Sequence, residues 1–593
     1  MRDGSVVYTF DTETTGTDPA RDQIIELCIQ RGFGETAESR TWRFLPDVPI
    51  APDAERVHGI SMADLQGEPR FVERVDEVRG MLEQAKVLVG YNLRFDLDMV
   101  QSELRRCGAA SGVESASIDR ESGQRRLISG PSALGICIAS MIGSGIFTVT
   151  GFIGPELVST RNLMAAWVIG GLVALCGGLS VAELAAMRPR ASAQYVVVHD
   201  ALGAGAGYLK GMITLLIGYV SSLAAVALVT GEYLQQLAPA IDPRITATAV
   251  LTALSLVHAR TVLGGQRIND ILVAFKLLLV VGFIGVGFVL MGEPLLPSAE
   301  LLDAARRLDP TSPLGAIPAG TAGPQLEALL RGATGPGLLS GAVGLAVVSI
   351  SFAYLGWSTA AEVAGEVRRP QRNLPLAIIG SVLLVGTLYL LINIVYLRVI
   401  PPVAMVELGA GGELVALPAI GSTVAQHLLG ERGGSFVTIA LIGLFVSTLS
   451  TGTMTGGRIF AAMSWKGQLP APLGRLNEHG APTRAILVML AITLTMVWSS
   501  SLASLFEYVG LLTTIAMMLA MVSVIVLRRR SPDLPRPFRV PLYPIPPLIS
   551  LGIGSWLVAS AVQRDWQPVA ATAGTIIAIT LLRPVLTRTV SAA

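Results

Sequence analysis

Charged residues are scarce in this 593-residue chain: they make up 15% of it, whereas hydrophobic residues make up 51% and the mean hydropathy is +0.59. Soluble domains carry about a quarter charged residues, so this composition excludes an ordinary soluble protein and favours a membrane protein. The charge is also uneven. The first 126 residues carry a net charge of −7 and the remainder a net charge of +8. Two chemically different segments are therefore joined in one chain.

Cysteine and histidine are scarce as well, with four and five residues. The cysteines, Cys28, Cys107, Cys137 and Cys176, lack the spacing of a zinc site or a disulfide framework, so buried or free thiols are expected. A signal peptide is not evident either. Residues 1–30 mix charges with one short apolar run, and we expect the N-terminus to stay in the cytoplasm.

Long apolar stretches recur from Leu134 onward, separated by charged or Pro/Gly-rich breaks. A helix needs about 20 apolar residues to cross a bilayer core of ~30 Å, so the pattern predicts an all-α polytopic membrane protein with about twelve transmembrane helices. We number these spans 1 to 12; they lie near residues 132–155, 164–187, 207–234, 243–262, 268–292, 337–364, 374–398, 434–463, 483–500, 503–527, 544–562 and 566–587.

Basic residues in the short loops predict the orientation of the spans. If the segment before span 1 is cytoplasmic, the inner loops hold most of these residues, for example Arg368, Arg369 and Arg372 before span 7. Both termini are then expected on the cytoplasmic side of the cytoplasmic (inner) membrane, with the lipid bilayer around the spans.

Two spans have glycine-interrupted centres. Span 1 contains Gly143-Ser144-Gly145, and span 6 contains Ser351-Phe-Ala-Tyr-Leu-Gly-Trp357. Broken helices at corresponding positions of two inverted five-helix repeats point to a substrate site at the membrane midplane. Freed N–H groups at a half-helix terminus suit a carboxylate, and freed carbonyls suit an ammonium. The alternative for span 1 is a small-residue packing face between helices.

Span 5 carries a single basic residue, Lys276. At about 1.5 Å per residue it lies roughly 10–13 Å from the inner edge of the span. Charged groups inside a membrane are usually functional, and this cation could replace a bound sodium ion and exchange a proton. The alternative is a side chain that snorkels to the interface.

Five stretches of residues 131–590 resemble the amino acid–polyamine–organocation superfamily of permeases, close to its bacterial and heteromeric L-amino-acid-transporter branches. They are LGICIASMIGSGIF, SVAELAAMRPRASAQY, FAYLGWSTAAEVAGEVRRPQRNLPLAI, GGRIFAAMSWKGQLP and RPFRVPLYPIPP. The resemblance implies that Gly143, Ser144 and Gly145 receive the substrate carboxylate. It also implies that Phe352, Ala353 and Tyr354 offer carbonyls to the amine, that Trp357 lines the pocket, and that Lys276 is the lysine of proton-coupled members. The loop Arg190-Ala-Ser-Ala-Gln-Tyr195 departs from the usual Arg-Ser-Gly-Gly-Glu-Tyr, which bears on turnover or coupling.

The first 107 residues have a different pattern. VVYTFDTETTG predicts a strand with Asp11 and Glu13 on one face, which suits shared divalent metal ions. AKVLVGYNLRFDLDMVQSELRR predicts a second strand and a helix that begins near Arg94, with Asp96 in its first turn. FDTETTG, VHGI and NLRFD, in this order, resemble the DEDD 3′–5′ exonucleases, in particular the epsilon subunit of bacterial DNA polymerase III. The resemblance implies a small α/β ribonuclease H-like domain in which Asp11, Glu13 and Asp96 are catalytic and bind Mg²⁺ or Mn²⁺.

The third exonuclease motif, which supplies a histidine base and a fourth aspartate, is missing. Residues 108–131 contain no His or Tyr, and their only Asp is Asp119. We therefore expect an incomplete, inactive domain at 1–107 that binds metal weakly at most. Its negative charge disfavours a nucleic-acid partner. A Ser/Gly/Arg-rich linker is expected at 108–130, followed by the permease domain at 131–593.

The sequence thus predicts secondary active transport of an amino acid without a cofactor, coupled to protons or working by exchange. No acidic residue is expected at the pocket, which favours a neutral substrate. Two alternatives remain: a membrane-tethered 3′–5′ exonuclease, for which twelve spans exceed the need of an anchor, and a non-transporting amino-acid sensor. The sequence leaves open which amino acid is bound, the oligomeric state, and whether the gene fusion is natural or an assembly or frame error.

Overall fold

The computed structural model describes residues 7–16, 18–31, 38–84, 87–89, 93–108, 128–187, 193–260, 266–290, 292–362, 364, 367–409, 412–465, 467–477, 481–564 and 566–588. The chain divides into two compact units, one formed mainly by the residues before Pro131 and one formed mainly by the residues after it. Nearly all of the predicted linker and the first half of the loop Arg190–Tyr195 lie outside the described residues.

The N-terminal unit contains a four-stranded sheet in the order β3-β2-β1-β4, in which β1 and β4 are parallel and the other pairs antiparallel. The strands are β1 Val7–Thr14, β2 Ile24–Arg31, β3 Glu38–Arg43 and β4 Val87–Val89. The helices are α1 Pro52–His58, α2 Val75–Gln84 and α3 Leu93–Arg106, with a 3₁₀ helix at Phe71–Arg74. The structure confirms the predicted strand at Asp11, the second predicted strand, which is β4, and the helix near Arg94, which is α3. It adds β2 and β3.

Apolar residues that alternate along β2 hold this unit together. Leu27 and Ile29 are fully buried and pack in one cluster with Leu97 and Val100 of α3. Ile25 points to the opposite face of the strand and packs in a smaller cluster with Leu65. The period of two along the strand explains why one strand contributes to both clusters.

The second unit is almost entirely helical. Its first helices are α4 Gly130–Met141, α5 Gly145–Leu157, α6 Thr160–Met187, α7 Ala193–Leu202, α8 Ala204–Leu215, α9 Ser222–Gln235, α10 Pro243–Arg260, α11 Gln266–Leu290, α12 Ala299–Leu308 and α13 Gly323–Gly332. Then follow α14 Gly341–Ala353, α15 Thr359–Glu362, α16 Pro370–Val399, α17 Ile420–Trp465, α18 Thr483–Ser499, α19 Leu502–Arg530, α20 Ile545–Arg564 and α21 Trp566–Arg588. A short hairpin, β5 Val406–Leu408 and β6 Leu414–Ala416, precedes α17.

Each of the twelve predicted spans coincides with a helix or a helix pair. Among the described residues, seven helical segments are long and apolar enough to cross a membrane, four shorter apolar helices accompany them, and α10 supplies span 4. Span 1 consists of α4 and α5, span 3 of α8 and α9, and span 6 of α14 and α15. Spans 2, 5 and 7 are α6, α11 and α16. Span 8 is the part of α17 after its kink at Gly430, and spans 9 to 12 are α18 to α21.

The segment between spans 5 and 6 contains the helices α12 and α13. Their apolar residues Leu302, Leu326 and Leu330 form a cluster with Val158 and Val403. Each helix is too short and too polar to resemble a span, since only one of its faces is apolar. The structure therefore adds a small helical layer that the sequence analysis did not predict.

Candidate functional site

Span 1 is interrupted at its predicted break. α4 ends at Met141, residues 142–144 are not helical, and α5 begins at Gly145. The N–H groups in the first turn of a helix have no acceptor within that helix. At the start of α5 that of Phe147 donates to the carbonyl oxygen of Ser144 (3.0 Å), and those of Gly145 and Ile146 are left for another acceptor. Ser144 is 1% exposed, and its hydroxyl has no partner among the described residues. The break therefore combines unused donors with a buried environment, as an anion site requires.

Span 6 is interrupted in the same way. α14 ends at Ala353 and the helix resumes at Thr359, with turns between. Gly356 has φ +108°, and a β-carbon there would lie 2.6 Å from the carbonyl carbon of Ser140 in span 1. Only glycine allows this conformation and this approach. The two predicted broken helices are thus present, and their breaks lie against each other.

Gly145 shows how closely the breaks approach. A β-carbon on Gly145 would lie 2.6 Å from Cα and 2.7 Å from Cβ of Ala353. At Gly143, by contrast, the nearest atom would be Cγ2 of Thr448 at 3.9 Å. The position of Gly145 is therefore closed by span 6, whereas the position of Gly143 has room for a small group.

Tyr389 in span 7 connects the two breaks. Its hydroxyl lies 2.6 Å from the carbonyl oxygen of Met141 and 2.9 Å from that of Ala353. These two residues end the first half-helices of spans 1 and 6, where carbonyls lack partners within their own helix. Tyr389 is not evident from the sequence, because a tyrosine within an apolar span gives no local signal.

Lys276 lies between span 1 and span 8. Its ammonium donates to the carbonyl oxygen of Ala139 (3.2 Å) and to the Thr448 hydroxyl (2.8 Å). The residue is 3% exposed. A snorkelling lysine would direct its ammonium to the interface, so this geometry does not match that alternative. The amino group instead joins the end of the first half-helix of span 1 to span 8.

The aromatic residues of span 6 point in different directions. The Tyr354 ring is buried between Trp167 of span 2 and Tyr389, with ring centroids 6.0 and 5.3 Å away. The Phe352 ring lies 4.7 Å from that of Phe506 in span 10. The side chains of Tyr354 and Phe352 thus pack against other spans.

Trp357 lies against span 2. A β-carbon on Gly177 would be 3.3 Å from Cζ2 of the indole, and Trp357 itself is 9% exposed. Its carbonyl oxygen accepts from the Cys137 thiol (3.1 Å). These contacts fix Trp357 between helices, and they leave at most one edge of the indole for a ligand.

In the N-terminal unit the three predicted acidic residues do not form one cage. Asp11 is exposed and Glu13 half-buried on one face of β1, whereas Thr12 points to the other face. Asp96 is 1% exposed and accepts from the hydroxyl and the N–H of Thr12, at 2.6 and 3.3 Å. Within the described residues, no group of three or more His, Cys, Asp and Glu side chains is arranged to hold a metal ion. The residues present therefore do not fit a two-metal site.

Burial controls the electrostatics of these carboxyls. Desolvation raises the pKa of Asp96 to about 6. The hydrogen bonds from Thr12 lower this pKa, and the negative charges of Asp11 and Glu13 raise it. Burial and the charge of Asp11 also raise the pKa of Glu13. Shifts in this direction show that neither carboxylate has a strong positive partner.

Comparison with known proteins agrees with both halves of this description. Residues 128–582 match the family profile described as "Amino acid permease", and residues 8–115 match the profile described as "Exonuclease". The chain is 29% identical over 445 residues to large neutral amino acids transporter small subunit 2 of Mus musculus, an alignment that covers 74% of this chain and 76% of that protein.

Other relatives are also transporters by name. The chain is 25% identical over 444 residues to the serine/threonine exchanger SteT of Bacillus subtilis (strain 168), covering 73% of this chain and 90% of the relative. It is 27% identical over 459 residues to Asc-type amino acid transporter 1 of Mus musculus, covering 76% and 78%. The resemblances inferred from the sequence are thus confirmed. Since the permease profile spans more than half of the chain, this multi-pass membrane protein belongs to the amino acid permease family, and it carries an exonuclease domain before its first span.

Proposed function

We propose that this chain is a secondary active transporter that carries a neutral amino acid through a site at the breaks of spans 1 and 6. The observation that carries the proposal is the pairing of the two breaks, where free N–H donors of α5 lie beside carbonyl ends of α4 and α14. An amino acid presents one carboxylate and one ammonium, which suit these two sets of groups. The names of the relatives support the same substrate class.

The buried charges favour a neutral side chain. Glu183 in span 2 is 1% exposed, and it accepts a two-pronged hydrogen bond from Arg528 at 2.9 and 2.5 Å. It is therefore already neutralised. A cationic substrate would need an acidic partner at the site, since an unpaired charge buried in a membrane is costly.

Lys276 supports coupling to protons. Its ammonium binds Ala139 and Thr448 directly, so a change in its charge would alter the contact between spans 1 and 8. Exchange of one amino acid for another is the second candidate, favoured by the relative named as a serine/threonine exchanger. The arginines of the short loops support a position in the cytoplasmic membrane with both termini inside.

The N-terminal exonuclease domain is proposed to be inactive. Its sequence lacks the third motif, and Asp96 is turned toward Thr12 rather than into a cage with Asp11 and Glu13. This argues against a membrane-tethered exonuclease as the main function. A sensor that binds an amino acid without moving it would share the same site, and only transport itself separates the two.

Uptake into proteoliposomes tests the proposal. Vesicles that contain the purified protein are given labelled L-leucine, L-serine, L-arginine and L-glutamate, with and without a pH gradient and with and without unlabelled amino acid inside. We expect L-leucine or L-serine to accumulate, driven either by the pH gradient or by the unlabelled amino acid inside the vesicles. Binding of an amino acid without accumulation under any condition would favour the sensor.

A further inference from the structure

Tyr233 in span 3 joins three elements outside the substrate site. It is completely buried, and its hydroxyl donates to the carbonyl oxygen of Phe147 in α5 (2.5 Å). The same oxygen accepts from the backbone N–H of Gly421, the second residue of α17, at 3.2 Å. A single hydroxyl thus links span 3, the half-helix that begins at the substrate site, and the segment before span 8.

The packing around this hydroxyl is tight. A β-carbon on Gly421 would lie 2.8 Å from the Tyr233 oxygen and 3.0 Å from Cδ1 of Phe147, so the approach needs a glycine. The rings of Tyr233 and Phe147 both contact Phe445, at centroid distances of 5.1 and 6.2 Å. Phe147 and Phe445 are also fully buried. We call this contact between Tyr233, Phe147 and Gly421 the joint, and its packing is tight and specific.

The hydrogen bond from Gly421 involves a donor that has little else to bind. The N–H of Gly421 belongs to the first turn of α17 and lacks an acceptor within that helix. In a buried position, loss of its one acceptor leaves it unsatisfied. The Tyr233 hydroxyl therefore stabilises the arrangement in which α5 lies against span 3.

Access to the site from the α5 side requires this arrangement to open. Residues 145–151 of α5 are all buried, and Phe147, Tyr233 and Phe445 fill the space beyond Gly145. In alternating access, one group of helices moves against the other around a fixed site. A substrate that enters from the α5 side can reach Gly143 only after α5 separates from span 3.

We infer that Tyr233 is a positioning residue of the transport cycle, whose hydroxyl is the latch that holds the α5 side closed. The inference rests on the proposed transport function. In the proposed orientation this is the outer side of the membrane. The latch acts through α5, because the first turn of that half-helix supplies the donors of the substrate site.

The test compares Tyr233→Phe with Tyr396→Phe. The first variant removes only the bridging oxygen and keeps the ring. Tyr396, in α16, is equally buried and belongs to the same aromatic region through Phe283 at 5.9 Å, but its hydroxyl has no partner among the described residues. The second variant therefore removes a buried hydroxyl without removing a latch.

Two measurements are made on each variant. Hydrogen exchange of the peptide that contains Gly421 reports the joint itself, and uptake of labelled L-leucine and L-serine by intact cells reports the outer-side KM and kcat. We expect Tyr233→Phe to accelerate the exchange roughly tenfold, since an unsatisfied buried donor shifts the equilibrium by about this factor. The open state becomes more populated, so the outer KM falls, whereas kcat falls because closure is disfavoured.

Tyr396→Phe should match the wild type in both measurements, and unchanged exchange in spans 10 to 12 shows that each variant is folded. Unaltered Gly421 exchange in Tyr233→Phe overturns the latch. Faster exchange together with a raised KM also overturns it, since that pattern reports a damaged site. If wild-type protein carries neither amino acid, the transport proposal loses its support, and the exchange comparison still decides whether Tyr233 closes the joint.

Discussion

The hydroxyl of Tyr389 lies 2.6 Å from the carbonyl oxygen of Met141, across the interface between span 7 and the broken span 1. Its single proton can serve this carbonyl or that of Ala353, which lies 2.9 Å away, but not both at once. One of the two carbonyls is therefore always left without this donor. At the proposed site a substrate ammonium would take that carbonyl, so that the substrate and Tyr389 together would satisfy both helix ends.

Removal of the hydroxyl should slow transport. Tyr389→Phe removes the one proton that the two carbonyls share, and the ring still packs against Trp167 at 5.5 Å. We expect kcat for labelled L-leucine in proteoliposomes to fall roughly tenfold, because a lost buried hydrogen bond costs about 1–3 kcal/mol. The matched control is Tyr508→Phe in span 10, whose hydroxyl lies 2.8 Å from that of Thr575 in span 12. An equal loss in both variants would contradict a specific role for Tyr389.

The two glycines of the span 1 break should respond differently to alanine. At Gly145 the new methyl group would collide with Ala353, so Gly145→Ala should displace span 6 and lower thermal stability. At Gly143 the methyl group has room, so Gly143→Ala should keep the wild-type melting temperature and raise the substrate KM by filling the space beside the free donors. Thermal unfolding in detergent and uptake kinetics check both. Normal KM in Gly143→Ala would place the carboxylate elsewhere.

Gly145→Val should abolish substrate binding, because its branched side chain meets Ala353 and separates the breaks of spans 1 and 6. The apolar runs and the glycines are visible in the sequence, and they sufficed to predict twelve spans and two breaks. The partner across a break is not visible, because spans 1 and 6 are about 200 residues apart in the chain.

The same limit explains why the roles of two tyrosines are not visible in the sequence. Tyr233 and Tyr389 act through hydroxyls that reach backbone atoms of other helices, and in the sequence each is one aromatic residue in an apolar span. Lys276 could be selected because a charge in such a span is rare. Conversely, the even spacing of Asp11 and Glu13 predicted a shared face correctly, but the rotation of α3 that directs Asp96 toward Thr12 depends on packing.

Replacement of Lys276 should remove the response of uptake to a pH gradient. Lys276→Met keeps much of the side-chain volume and removes the ammonium that binds Ala139 and Thr448. We expect similar uptake with and without an imposed gradient in proteoliposomes, at a rate below the wild type. Thr448→Val, which removes one acceptor and keeps the charge, is the control and should retain the response. A persisting response in Lys276→Met would assign coupling to another group.

The stability of the N-terminal unit should fall as pH rises from 4 to 7. The folded pKa of Asp96 is about 6, above its ordinary value, because burial disfavours the charged form. The folded state therefore binds the proton more tightly than the unfolded state. The favourable contribution is complete below about pH 4 and is lost through pH 6, and ionisation then costs on the order of 3 kcal/mol.

Hydrogen exchange of β1 and α3 in the full-length protein, corrected for the intrinsic pH dependence of exchange, measures this effect. Protection should decrease between pH 4.5 and pH 7 in the wild type and decrease less in Asp96→Asn, where the raised pKa of Glu13 still contributes. Asp98→Asn, on the same helix, should behave as the wild type. A level profile in the wild type would show that Asp96 does not control the unit.

The N-terminal unit should not degrade DNA. The sequence lacks the histidine base and the fourth aspartate, and the structure directs Asp96 to Thr12, so the two carboxylates of β1 are left to bind one divalent ion weakly. A general base contributes typically about 10²–10⁴-fold, and its loss leaves little activity even if an ion binds. The net charge of −7 over the first 126 residues further disfavours a nucleic acid.

The assay is incubation of the purified full-length protein with 3′-labelled single-stranded DNA and Mn²⁺, beside the Asp11→Ala variant. We expect intact DNA in both samples, whereas metal-dependent shortening that disappears in Asp11→Ala would make the chain a bifunctional protein.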